Sequence, residues 1–377
     1  MKSEAFEMKK VRLRDICSIE KGKQIDTSCL SDEHPYKYIN GGVKESGYYS
    51  EYNSNEECVL VSEGGASCGY VNYVNEPFWC GCHCYRLFDI KVVPQYLYYA
   101  LKSNQSRLMD LRTGVCMPNI KKKEFQDFVI SIDYDKKHQN AVVSVLNTIQ
   151  RSIDLKRKQL NDLDELVKSK FQEMFGDAML PESKWEQTTF GKAFDICSGG
   201  TPSTSKKEYW DNGTISWIGS NMCQDWIIYK NDGKFITQEG LEHSSAKLLE
   251  SGTVLVALVG ATIGKTALLR FRTTTNQNVA AIKVNDNSDY YPEFVFYLLQ
   301  GLYGKFMNYS NGKFAMATLS FVRDLPLIKP PRNLQGEFVD YVGKVNSLKG
   351  ICEREIAELN ELMDSKMDEY FGEKDEP

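Results

Sequence analysis

Few residues in this chain have the types and spacing that chemistry demands. Gly260-Ala261-Thr262-Ile263-Gly264-Lys265-Thr266 has the outline of a phosphate-cradling loop. Three residues separate its glycines where the nucleotide motif needs four. Position 259 is Val, and the earlier counterpart of Lys265 is Tyr70. A tight turn between strands accounts for these residues better, with Lys265 at its tip able to contact a phosphate. Cys80-Gly81-Cys82-His83-Cys84 invites a zinc site, with Cys58 or Cys68 as a further ligand. On a strand the three thiols would share one face, about 6.6 Å apart in rise. Zinc–sulfur bonds of ~2.3 Å need ligands folded closer, usually by a knuckle turn. No CxxC pair accompanies the segment, so buried strand thiols are the simpler reading and no metal is expected.

Catalytic constellations do not emerge. His34, His83, His138 and His243 are scattered, and there is no GxSxG, HExxH or GxGxxG segment. The [DN]PP[FYW] segment of amino-methyltransferases is missing too. Glu182-Ser183-Lys184 has the ExK spacing of some nucleases, a match expected by chance. No catalytic residue is therefore assigned.

What remains suits recognition. Polar, basic and aromatic loops recur: Glu20 to Gln24 with Lys21 and Lys23, Asn40 to Lys44, and Asn119 to Lys123 with Lys121. Later come Ser198 to Ser203 running into Lys206, Lys207, Tyr209 and Trp210, then Gly219 to Asn221, Lys265, and Asn311 to Lys313. Such side chains fit phosphate positioning and base-edge hydrogen bonding. Taken singly, any one of these loops reads more readily as solvated surface lysines.

The elements that must position these loops are duplicated. Cys58–Val61 returns as Thr253–Val256, and Gly65–Gly69 as Gly260–Gly264, both 195 residues on. Pro94–Tyr99 returns as Pro292–Tyr297 at an offset of 198, and Leu13, Ile19 and Gly22 match Phe190, Ile196 and Gly199 at 177. Same order with a drifting offset is a tandem duplication with loop insertions in the second copy. β-rich runs punctuated by Gly, Asn and Ser precede a helical stretch in each half.

Each copy closes on a long helix. Residues 138–176 align without a gap with 334–372. Apolar residues including Leu146, Ile149, Ile153, Leu160 and Leu163 in the first, and Val342, Val345, Ile356 and Leu359 in the second, fall at heptad spacing. Gly176 and Gly372 end the two runs. A 39-residue helix spans roughly 58 Å, which outruns one small domain and makes sense when paired with its copy. Lys156 and Lys349 break the seams, as polar residues that fix register do. Two separate amphipathic helices, each on its own domain, is the alternative.

The 377 residues suggest two or three domains, and 42% hydrophobic with 26% charged excludes a disordered chain. No apolar run reaches the ~18 residues of a membrane span. Met1 to Lys10 has no apolar core, so no secretory signal is expected, and eleven Cys read as reduced cytoplasmic thiols. Net charge is −1 over residues 1–136, +1 over 137–177, +2 over 178–332 and −7 over 333–377. Any DNA-facing surface must then be a local patch. The expected domains are 1–136, helix 137–177, 178–332, and 333–377 as second helix with acidic tail.

The stretch Ser198-Gly199-Gly200-Thr201-Pro202-Ser203, Tyr209-Trp210 and Gly213-Thr214-Ile215-Ser216-Trp217-Ile218 resembles the opening of a target recognition domain in type I restriction-modification specificity subunits. Gly260 to Lys265 is similar to that family's central turn, and Asp324 to Pro331 to the approach to its spacer helix. The resemblance covers essentially the whole chain; the first half has Glu20-Lys21-Gly22-Lys23 in place of the GGTP stretch. It implies an α+β fold of two tandem, similar target recognition domains, each followed by a long α-helix. The helices would pair as an antiparallel coiled-coil spacer with pseudo-two-fold symmetry. Each domain would read half of a split target in double-stranded DNA. The chain would be non-catalytic and carry no cofactor. It would recruit two modification subunits, which bind S-adenosylmethionine, and through them restriction subunits that use ATP and Mg. Two alternatives stay open: a coiled-coil scaffold without a nucleic-acid role, and the specificity part of a fused methyltransferase. DNA binding discriminates the first, methyltransferase motifs the second.

Overall fold

A computed structural model describes residues 8–55, 57–114, 118–180, 184–285, 287–309 and 316–372. Lys313 and its neighbours Asn311 and Gly312, most of the ExK segment, and the tail after Gly372 lie outside the described residues. The chain forms two compact units, Met1–Lys158 with Glu353–Pro377, and Gln159–Cys352. The division falls inside both long helices, not at their starts.

In the first unit a four-stranded antiparallel sheet runs in the order Ser18–Lys21, Cys84–Phe88, Cys58–Ser62, Val71–Val74. Cys58–Ser62 is buried along its whole length, as a continuous apolar run in a central strand should be. Gly47–Tyr49, Tyr36–Ile39 and Phe78–Cys80 make a second sheet, in which Phe78–Cys80 joins in parallel. Lys9–Arg12 pairs with Val129–Ile132, so the start of the unit is tied to the strand that enters its long helix.

The second unit repeats every strand of this plan and adds one. Asp195–Ser198, Val279–Lys283, Val254–Ala257 and Thr266–Leu269 match the four-stranded sheet, and Trp226–Ile228 adds a fifth strand, parallel, at its edge. Phe235–Ile236, Ile215–Ile218 and Thr274–Thr275 match the small sheet, again with one parallel pair. Gln187–Thr189 pairs with Pro326–Ile328 as the counterpart of the entry ribbon.

Four helices matter below: α1 (Pro94–Ser103), α2 (Lys136–Phe175), α3 (Pro292–Gly301) and α4 (Arg332–Phe371). Proline opens both α1 and α3, where its missing N–H costs nothing. The 40-residue α2 and α4 keep the sequence offset of 196 at both ends. In the first unit Val142, Val143 and Leu146 of α2 share a core with Met367 and Phe371 of α4. In the second, Leu163, Val167, Phe171 and Phe175 share one with Phe338, Val342, Val345 and Cys352. The start of α2 thus meets the end of α4, and the end of α2 meets the start of α4: the pair is antiparallel.

Of the expected seam residues, Leu146, Ile149, Ile153, Leu163, Val342 and Val345 are buried, while Leu160, Ile356 and Leu359 are half-buried. The two seam breaks both find carboxylates on the opposing helix. Lys156 pairs with Glu355 at 2.7 Å, and Lys349 pairs with Asp164. Partly exposed pairs add little energy, but they favour one register.

One buried residue joins each long helix to its unit. Gln139 donates from Nε2 to the Asp133 carbonyl (2.7 Å) and accepts at Oε1 from the Val93 N–H (2.8 Å). Gln335 donates to the Asp289 and Pro330 carbonyls (3.1 and 2.9 Å) and accepts from the Tyr291 N–H (3.1 Å). Val93 and Tyr291 immediately precede Pro94 and Pro292. The same amide therefore locks the base of α2 against α1 and the base of α4 against α3.

Cys80 to Cys84 does not continue as the single strand expected from its alternation. Phe78–Cys80 ends, Gly81 to His83 turn, and Cys84 starts the next strand. The Gly81 N–H donates to the Ile39 carbonyl (2.8 Å) and Cys84 N–H to that of Gly81 (3.1 Å). A Cβ at Gly81 would lie 2.3 Å from Asn40 Oδ1, so a larger residue would displace the Asn40 side chain. Cys80 and Cys84 return to each other; a hydrogen bond between the thiols, and then burial, push the Cys80 thiol up. Among the described residues no group of three or more His, Cys, Asp or Glu is placed to hold a metal ion.

Candidate nucleic-acid interface

In each unit a glycine sets where the polar loops begin. A Cβ on Gly22 would lie 2.3 Å from the Cys80 carbonyl oxygen, and one on Gly199 2.1 Å from that of Thr275. Space, not backbone angle, demands glycine at these matched positions. The next residue's carbonyl accepts an indole N–H in both: Trp79 to Lys23 (2.8 Å), and Trp217 to Gly200 (3.0 Å). The two tryptophans come from different strands of the small sheet.

In the first unit the three basic loops converge on the turn Glu63 to Tyr70. Lys21 pairs with Glu63 at 2.6 Å. Asn40 Oδ1 accepts from the His83 N–H (3.1 Å), and His83 Nδ1 lies 3.8 Å from Glu63. Ser62 and Ser67 both donate to the Gly41 carbonyl, and Asn72 to that of Gly42. Gly64 bridges to Asn119, and the Ile120 N–H donates to the Glu63 carbonyl (2.8 Å), which brings in Lys121. Lys121 itself lies 3.7 Å from Glu124. Lys23 and Lys44 point to solvent. Tyr70, at the turn's end, stacks under Lys102, 4.0 Å from its ring centroid. Burial lowers the Lys102 pKa.

The second unit divides its expected residues between two places. At the central turn Lys265 pairs with Asp225 (2.7 Å) and lies 5.4 Å from the Tyr303 ring centroid. The Asp225 hydrogen bond raises the Lys265 pKa. Asp225 also accepts from the Thr266 N–H (2.9 Å) and holds a left-handed φ of 62°, which Asp tolerates. The exposed Asn221 is nearby in sequence, its carbonyl accepting from Gln224. The other place is the small sheet. There Lys206 donates to the hydroxyl of the buried Tyr209 (2.8 Å), which raises the Lys206 pKa. Lys207 is exposed beside Trp210 and Trp217.

Sequence reasoning missed Glu63, Asp225, Lys102 and Lys234. The two carboxylates carried no signal, because their partners lie 42 and 40 residues away in sequence.

A duplicated α+β module with a polar loop cluster in each copy, closed by a 40-residue helix in each, defines a tandem-repeat chain of one module type. The chain belongs to the type I restriction modification DNA specificity domain family, whose model matches residues 6–165 and 182–361. It is 26% identical over 251 residues to a putative type I specificity subunit of Mycoplasma genitalium, covering 62% of this chain and 61% of that one. To a putative type I specificity subunit of Mycoplasma pneumoniae it is 29% identical over 160 residues, 42% of this chain and 41% of the relative. These alignments thus span less than two thirds of either relative. The crystal structure of a type I restriction-modification S subunit from M. genitalium has the same fold, with a TM-score of 0.58 at 20% identity, over 99% of this chain and 98% of that one.

Proposed function

We propose that this chain is the DNA-reading subunit of a type I restriction-modification complex, each unit recognising one half of a bipartite duplex target. The observation that carries this is the duplication, which extends to single side chains: Gly22 and Gly199, Gln139 and Gln335, and two helices of equal length at one offset. Two similar readers on two copies of one spacer suit a split target. In this reading Lys21, Lys23, Lys44, Lys121, Lys206, Lys207, Lys265 and Lys313 position phosphates, Asn40 and Asn221 meet base edges, and Tyr209, which is buried rather than open to DNA as expected, only holds Lys206 in place. The chain itself is non-catalytic. S-adenosylmethionine, ATP and Mg belong to partner subunits, and the complex works in the cytoplasm.

Recruitment of two modification subunits, and of restriction subunits through them, has support in exposed apolar residues repeated at the helix offset of 196. These are Leu155 and Leu362 on the first unit, and Ile351 and Leu166 on the second. Isolated exposed leucines are ordinary; their repetition in both copies is what favours two equivalent partners.

Methylome sequencing of the host with and without the gene tests the proposal. The expected result is loss of one bipartite adenine motif, its half-site centres about one helical turn, roughly 10 base pairs, apart. Inserting one heptad into α2 after Leu160 and into α4 after Ile356 should widen the gap by about 3 base pairs and leave both half-sites unchanged. An unchanged methylome on deletion refutes the reading.

A further inference from the structure

Beside the small sheet of the second unit lies a cleft of about 710 Å³, lined by Lys207, Trp210, Asp211, Trp217, Lys234 and Phe235. That volume falls in the ~300–1,000 Å³ range of small-ligand sites. Trp210 and Trp217 meet edge to face, 5.3 Å between centroids. Both indole N–H groups are already used, on the Ser203 (3.2 Å) and Gly200 (3.0 Å) carbonyls. The rings are therefore fixed; Trp217 is buried behind Trp210, so Trp210 and Phe235 present the accessible carbon surface, with no free indole donor. Phe235 is 40% exposed at the sheet edge. Lys234 lies 5.9 Å from the Trp217 ring centroid, and neither it nor Lys207 forms an ion pair among the described residues.

We propose that this cleft takes a single unstacked nucleotide, its base against the aromatic wall and its flanking phosphates on Lys207 and Lys234. An aromatic wall needs a ring face. A paired duplex hides ring faces by stacking and shows only edges in its grooves, so the occupant is a base turned out of its stack or already single-stranded. With the indole donors spent, the contact is tolerant of base identity. The inference rests on the DNA-reading function and adds a stacking subsite to it.

The test titrates the full chain with a short thymidylate oligomer and with an abasic oligomer of equal length and charge, following tryptophan emission. The thymidylate oligomer is expected to quench emission and to bind roughly tenfold tighter than the abasic one. Phe235→Ala, at an exposed edge, and Trp210→Leu should each shrink that preference, whereas Lys207→Ala should weaken both oligomers equally. Equal affinity for the two, binding of neither, or a preference that survives both aromatic variants overturns the proposal. Target-duplex binding is measured on the same preparations with partner subunits present. If duplex binds and the oligomers do not, the cleft inference falls while the DNA-reading function stands; if duplex also fails, both fall.

Discussion

In the first unit the central turn contributes Tyr70, and α1 contributes Lys102, 4.0 Å from its ring centroid. In the second unit the turn contributes Lys265 and the segment after α3 contributes Tyr303, at 5.4 Å. Tyr70 and Lys265 are matched positions, so the turn supplies the ring in one unit and the cation in the other, while the partners, Lys102 and Tyr303, come from unmatched positions of the helical segment. The surroundings explain what each arrangement requires. Lys265 is compensated by Asp225, which the additional strand Trp226–Ile228 brings with it. Lys102 has the Gln105 amide oxygen at 2.8 Å. The first amide of the matched strand is also capped in two ways: Val71 N–H donates to Gln105 (3.2 Å), Thr266 N–H to Asp225 (2.9 Å). Contacts are conserved between the copies as geometry, and the charge they leave over is what differs.

The largest effect tests what the units share. Gly22→Ala and Gly199→Ala should each cost about 3 kcal/mol, because backbone must move to admit a methyl. Local unfolding by hydrogen exchange should show the loss in the altered unit. A cost near zero at either glycine would break the equivalence.

Gln139→Leu and Gln335→Leu should cost about 2 kcal/mol each, by leaving buried backbone groups unpaired. Exchange should accelerate at the starts of α2 and α4 respectively. A loss at only one of them would mean that the matched amides do unmatched work.

The smallest effect concerns the two cations, and it has opposite signs. Burial holds the Lys102 pKa below its ordinary 10.5, so the folded state binds fewer protons there and gains stability as pH rises towards 10.5. The Lys265 pKa is raised above 10.5, so its contribution is full below that pH and is lost as pH rises through the folded value. Lys102→Met should therefore remove a rising slope from the alkaline stability profile, and Lys265→Met a falling one, each under about 1 kcal/mol. Slopes of one sign would collapse the contrast.

The duplication, the two helices and their ends were legible because identical residues recur at fixed spacing and glycine closes each run. The proline-led α1 and α3 were legible for the same reason. The turn at Gly81 was not: the groups that hold it, the Ile39 carbonyl and the Asn40 side chain, lie far away in sequence, while local alternation reads as a strand. The strand Trp226–Ile228 escaped notice because it has no counterpart in the first copy. Lys265 was legible as a cation at a turn, but not its pairing, since Asp225 becomes its neighbour only through a left-handed turn after Asn221.

The fifth strand has one more consequence, for the crowded conditions of synthesis. In the second unit it covers the edge at Thr266–Leu269. In the first, Val71–Val74 ends the sheet among the described residues, and Gln105 occupies only its first amide. An uncovered edge is a template on which another chain can add. A nascent or heat-stressed population should therefore begin to aggregate through the first half of the molecule, with the four-residue length of that strand as its chief protection.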